Sequence, residues 1–118
     1  MQLTLLKSKL HRAKVTETDL QYNGSVSIDE DLLEQANILP NERVEIYNIT
    51  NGNRFATYAI PAPRGSKKIG INGAAAHITK QSDLVIICAY VMMNEDEAKK
   101  YEPKLILLDE ENNILENG

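Results

Sequence analysis

The chain has no tryptophan, one phenylalanine, five tyrosines and a single cysteine. One cysteine cannot form a disulfide within the chain. Cys88 lies in the apolar run Leu84-Val85-Ile86-Ile87-Cys88-Ala89, which marks it as a buried, inert thiol rather than a nucleophile. With so few aromatics, the core must be built from Ile, Leu, Val and Ala. No apolar stretch is long enough to cross a membrane. The opening MQLTLLKSKLHR lacks the apolar centre and cleavage site of a secretion signal, so the expected location is the cytoplasm, with no membrane partner. Positive charge is also scarce: the net charge is -4, which argues against nucleic acid as a partner. No Gly-rich phosphate loop or Gly-x-Ser-x-Gly elbow occurs, and two histidines with one cysteine do not make a zinc site, so no metal is expected.

What remains is ordinary globular material. The chain has 118 residues, 42% hydrophobic and 25% charged, and reads as one domain over residues 1–118. A domain this small has a thin core, for which oligomerisation is a common remedy. Its charge is uneven. Lys7, Lys9, Arg12 and Lys14 crowd the start, while Glu95, Asp96, Glu97, Asp109, Glu110 and Glu111 come late. The basic cluster suits either a solvated strand face or a pocket for a small anion.

Residues 2–16 read as a strand, and a period of two puts Lys7, Lys9 and His11 on one face. Tyr22-Asn23-Gly24-Ser25 interrupts it with turn formers. Ser27 and Glu30 have capping-box spacing, predicting a short helix through Ala36 that Asn37 caps and Pro40 ends. Residues 43–49 and 54–60 are strand-like and flank Asn51-Gly52, a type I′ hairpin signal. A short strand over 67–71 precedes the small-residue segment Asn72-Gly73-Ala74-Ala75-Ala76-His77. The run 84–92 is predicted as a fully buried strand. Asn94 then caps a helix through Lys100, and 104–108 form a last strand before a frayed polar tail. Many short strands, two short helices and frequent turns predict a mainly β domain closed into a barrel.

Taken alone, Gly24-Ser25 is a turn. Its surroundings are more specific. Lys9-Leu10-His11-Arg12 followed by Tyr22-Asn23-Gly24-Ser25 resembles the N-terminal part of bacterial aspartate 1-decarboxylases. The same holds for Thr50-Asn51-Gly52-Asn53-Arg54-Phe55-Ala56-Thr57-Tyr58-Ala59-Ile60, for Arg64-Gly65-Ser66, and for Ile71 through His77. These blocks keep the family's order and spacing over roughly residues 1–100. The resemblance implies a double-psi β-barrel and a homotetramer with active sites at subunit interfaces. It also implies a covalent pyruvoyl cofactor made from Ser25 when the chain cuts itself between Gly24 and Ser25, giving pieces 1–24 and 25–118. A maturation factor is left open as a further partner.

The resemblance also distributes roles. Ser25 Oγ attacks the Gly24 carbonyl, and Gly24, lacking a Cβ, permits the close approach. Thr57 donates to the developing oxyanion. L-Aspartate then condenses with the pyruvoyl carbonyl as a Schiff base and loses carbon dioxide, leaving β-alanine for pantothenate synthesis. Tyr58 is the expected proton donor, although by itself it would pass for a barrel tyrosine with a wet hydroxyl. Arg54, with a bidentate fork, and Lys9, a compact charge, suit the two carboxylates, in an order the sequence leaves open. His11 suits either a substrate contact or a structural hydrogen bond. Asn72 is placed to hold the cleavage-site backbone, and Gly73, Ala74 and Ala75 to present backbone N–H groups to substrate. Tyr22 adjoins the cut, and His77 is expected to be structural. Tyr47 stands where many relatives have Trp, which keeps an aromatic wall. A non-enzymatic barrel would explain the size but has no use for the Gly24, Ser25, Thr57 and Tyr58 set. A cationic substrate would need carboxylates near Ser25, whereas Lys9, His11 and Arg54 are basic or neutral.

Overall fold

Strand alternation determines which side chains fill the core. In the computed structural model, which describes residues 1–115, β4 (Arg43–Asn48) buries Val44, Ile46 and Asn48 and turns Arg43, Glu45 and Tyr47 outward. The other strands are β1 (Gln2–Lys14), β2 (Glu17–Asp19), β3 (Ser25–Asp29), β5 (Arg54–Ala62), β6 (Ile69–Asn72), β7 (Leu84–Asn94) and β8 (Lys104–Leu107). Two short helices, α1 (Glu30–Ala36) and α2 (Glu95–Ala98), and a 3-10 turn over Gly73–His77 complete the chain. The strands form one sheet in the order β2-β6-β3-β5-β4-β7-β1-β8. Leu10, Val26, Ile28, Ile46, Ile69, Ile71 and Ile87 are fully buried inside its curve, and α1 covers one end with Leu32, Leu33 and Ala36. Complete burial of each such side chain contributes about 1.5–3 kcal/mol.

The fold is mainly β with short helices, as a double-psi barrel is, but its ladder is not closed by hydrogen bonds, contrary to expectation. The chain itself makes the crossing. Val15 N–H donates to the Asp83 carbonyl at 2.9 Å, on the β7 side, and the next residue switches partners. Thr16 N–H donates to the Ile69 carbonyl at 2.8 Å, and Ile69 N–H donates back to Thr16 Oγ1 at 3.0 Å. One continuous segment thus leaves β1 near one edge of the sheet and enters β2 at the other.

Local expectations are revised in four places. Ser27 lies within β3, and Asp29 is the N-cap of α1, its carboxylate accepting from Asp31 N–H at 2.8 Å. The pull of the β3–β6 ladder on Ser27 outweighs its capping tendency. At Asn51-Gly52 only Gly52 has positive φ, and Gly52 N–H donates to the Asn48 carbonyl at 2.8 Å, so the connection is a longer loop than a two-residue turn. β7 is buried only in its first half, through Val85, Ile87, Cys88 and Ala89, while Met92 is 64% exposed. The tail folds back: Leu108 bridges Ile114, and the buried Asn112 side chain accepts from Lys14 N–H and donates to the Lys14 and Lys67 carbonyls. The end of the expected frayed tail, residues 116–118, lies outside the described residues.

Candidate active site

Ser25 opens β3 and is only 2% exposed. The antiparallel ladder puts Asn72 of β6 directly opposite it. Asn72 Nδ2 spends both of its protons there, donating to Ser25 Oγ and to Ser27 Oγ, each at 3.0 Å. The Ser25 hydroxyl points its own proton toward the Asn23 carbonyl at 3.4 Å. Next to this cluster Gly73 adopts φ +76°, and a Cβ there would stand 2.7 Å from Gly24 Cα and 2.8 Å from Gly24 N. Only glycine permits that approach. On its other side Gly24 is open, with no atom within 4 Å of where its own Cβ would lie. That open side faces a shallow cleft of ≈ 320 Å³ lined by Gly24, Thr57, Asn72, Ala74 and Ala75, among others.

Thr57 and Tyr58 reach this point through β5. Val26 pairs with Ala59 and Ser27 with Ile60 in parallel register, so Thr57 and Tyr58 lie just ahead of that ladder, level with Gly24 and Ser25. Tyr58 remains 39% exposed. Tyr22 is exposed beside the turn, and His77 is exposed at the end of the 3-10 turn.

The basic residues are elsewhere. Lys9 pairs across to Cys88 of β7, Cys88 pairs to Glu45 of β4, and Glu45 to Ala56 of β5. Three inter-strand steps of about 4.8 Å therefore separate the Lys9 backbone from β5. Among the described residues no hydrogen bond or ion pair links Lys9 or His11 to Ser25. Lys7, the extra residue at a bulge in β1, is held by Glu42 at 2.9 Å and is not available to an anion. His11 is held below its ordinary pKa, first by burial and then by the charges of Lys9 and Arg12. It is neutral at pH 7, and its buried Nδ1 has no partner. Arg54 is exposed at the start of β5, its guanidinium carbon 4.6 Å from the centre of the Tyr47 ring. Cys88 is buried, and burial pushes its thiol up, as an inert cysteine requires.

Two residues at these sites were not singled out from the sequence. Ser27 shares Asn72 with Ser25, and its position two residues along the same strand was the available signal. Tyr90 hydrogen-bonds Tyr47, hydroxyl to hydroxyl, at 2.6 Å. No spacing rule links residues 47 and 90; only the β4–β7 register does.

The profile of the family described as "Aspartate decarboxylase" matches residues 1–115. The chain is 60% identical over 114 residues to a protein of Caulobacter vibrioides named "Aspartate 1-decarboxylase", covering 97% of each chain. It is 55% identical over 115 residues to a protein of that name from Maricaulis maris, covering 98% of this chain and 95% of the other. A third of that name, from Thioalkalivibrio sulfidiphilus, is 54% identical across 100% of this chain and 94% of its own. Matches of this length and density around an Asn72-held Ser25 leave no separate segment to explain: the chain belongs to the aspartate decarboxylase family.

Proposed function

We propose that this chain is an aspartate 1-decarboxylase that cuts itself between Gly24 and Ser25 and then converts L-aspartate to β-alanine and carbon dioxide. The observation that carries the reading is the buried Ser25, whose hydroxyl is fixed by Asn72 while the backbone of Gly24 leaves no room for a Cβ at Gly73. An ordinary turn serine has no reason to be buried and tethered in this way.

In the cut, Ser25 Oγ bonds to the Gly24 carbonyl carbon, and the Gly24–Ser25 C–N bond breaks as the acyl group moves from nitrogen to oxygen. Thr57, which lines the same cleft, donates to the carbonyl oxygen as it gains charge. Elimination of the Gly24 carboxylate and hydrolysis, with loss of ammonia, leave a pyruvoyl group at position 25. The surroundings fit such a group: it arises in place, and the small side chains of Ala74 and Ala75 leave room in the cleft beside it. Its ketone supplies an electrophile for the substrate amine and a sink for the electron pair released with carbon dioxide. Tyr58 Oη delivers the proton to the substrate α-carbon. Arg54 and Lys9 hold the two carboxylates. Asn72 and the backbone N–H groups of Gly73 to Ala75 orient the substrate, and neutral His11 offers a further polar contact.

Along the sheet β4 and β7 stand between Lys9 and β5, and we read the pocket as one that a second copy completes. The separation supports a homo-oligomer, a tetramer in our reading, in which the Lys9 face of one protomer closes the Ser25 cleft of its partner. The test is intact mass combined with a β-alanine assay. We expect two pieces, ending at Gly24 and beginning at position 25, and β-alanine formed from L-aspartate. Ser25→Ala should give one uncut chain without activity. A wild-type chain that stays whole on ageing would sink the proposal.

A further inference from the structure

The outer face of β4, β5 and β7 carries a three-part arrangement of Tyr47, Tyr90 and Arg54, of which the proposed reaction uses only Arg54. Tyr47 lies opposite Arg54 on one side and opposite Ile86 on the other. Tyr90 is four residues beyond Ile86 on β7 and so shares its face. The two phenols lean toward each other over the intervening Cys88 and meet at 2.6 Å, at the short end of the range for O–H···O bonds. Arg54 stacks on the ring fixed in this way. Among the described residues Arg54 has no carboxylate partner, so the ring stack is what restrains it. Burial, followed by the bond to Tyr47, pushes the Tyr90 phenol above its ordinary range. The Tyr90 hydroxyl therefore keeps its proton at neutral pH.

We infer that Tyr90 is a positioning residue: by fixing the Tyr47 ring through its hydroxyl, it holds the Arg54 guanidinium in the plane that receives a substrate carboxylate. The inference rests on the decarboxylase reading of Arg54 and adds a residue to it. A guanidinium binds a carboxylate through two parallel bonds only when its plane is set beforehand, and a ring free to swing beneath it loses that advantage. The chain would thus replace one wide aromatic wall with two tyrosines joined at their tips.

The test uses Tyr90→Phe and Tyr47→Phe, which keep the rings and remove one hydroxyl each. Loss of one neutral hydrogen bond corresponds to about a fivefold change. Each variant should cut itself completely, raise KM for L-aspartate about fivefold, and leave kcat within about twofold of wild type. Binding of succinate, which has both carboxylates but no amine, should weaken by the same factor in titration calorimetry on the matured protein. The double variant should be no worse than either single one, because both remove the same bond. An active wild type whose Tyr90→Phe variant keeps its KM and its succinate affinity overturns the inference alone. So does a variant in which kcat falls while KM holds, or a double variant with additive losses. A wild type that forms no β-alanine overturns both the inference and the reading beneath it.

Discussion

The Ser25 cluster and the Arg54 face lie on the same sheet but are built in opposite ways. Around Ser25 every polar atom that matters is buried and committed: Asn72 donates twice, and Asp29, four residues on, accepts from the N–H groups of Asp31, Gly65 and Lys67. Around Arg54 the side chains are exposed or half-exposed and tethered only by a ring stack and a phenol pair. The first half is finished within one chain, while the second is presented outward. A reaction that runs once per molecule can be built into a rigid interior. A reaction that must admit and release substrate needs groups that remain accessible.

The most direct way to break this contrast is at Gly73. Gly73→Ala places a Cβ 2.7 Å from Gly24 Cα at a positive φ, so the cleavage turn must move. We expect self-cleavage to slow by at least about tenfold, since 1–3 kcal/mol of strain corresponds to that order. Gel separation of the pieces over time measures it, and cleavage at the wild-type rate would show that the turn is not rigid. Tyr58→Phe probes the boundary between the halves. Cleavage should stay complete while kcat drops about 100-fold, the low end for a lost general acid. A normal rate of β-alanine release removes Tyr58 from the proton step. Arg54→Lys acts only on the open half: KM should rise about tenfold as the fork geometry is lost, with the cleavage rate unchanged.

The smallest effect concerns acid. Burial alone would raise the Asp29 carboxyl, but the three backbone N–H donors outweigh it and hold the group below its usual value of 3.8. Its stabilisation is therefore complete above that value and is lost as pH falls through the lower folded value. Chemical denaturation of the uncut Ser25→Ala protein should show stability falling below about pH 4, and Asp29→Asn should flatten that fall. An unchanged pH profile in Asp29→Asn would separate Asp29 from the rigidity of the closed half.

Much of the closed half was legible in the sequence, and much less of the open half. Gly24-Ser25 and Asn72 to Ala75 could be located because the blocks around them resemble the aspartate decarboxylase family, and the cross-strand ladder then joined them. The alternation of β4 and β5 was legible in the sequence itself. The bulges in β1 were not, because Lys7 and the left-handed Arg12 obey the neighbouring strand's spacing rather than their own sequence. Period two placed Lys7 beside Lys9, yet the bulge sends it to Glu42. Tyr90 could not be found from sequence either, since its meaning depends on a register set by distant residues. The strands that stand between Lys9 and β5 follow from strand order, which no local pattern encodes.

The position of β1 bears on what happens after the cut. β1 is an interior strand, paired antiparallel with β7 on one side and parallel with β8 on the other, and the folded-back Asn112 grips Lys14 at its end. A break after Gly24 would therefore not trim a loose end. It would turn the molecule into a two-piece assembly, in which the short N-terminal piece is lodged between strands of the larger one as a permanently bound complement. Removing it would mean unzipping three ladders at once, because β2 in the same piece pairs with β6. The cut proposed above would thus sever the backbone without dismantling the protein.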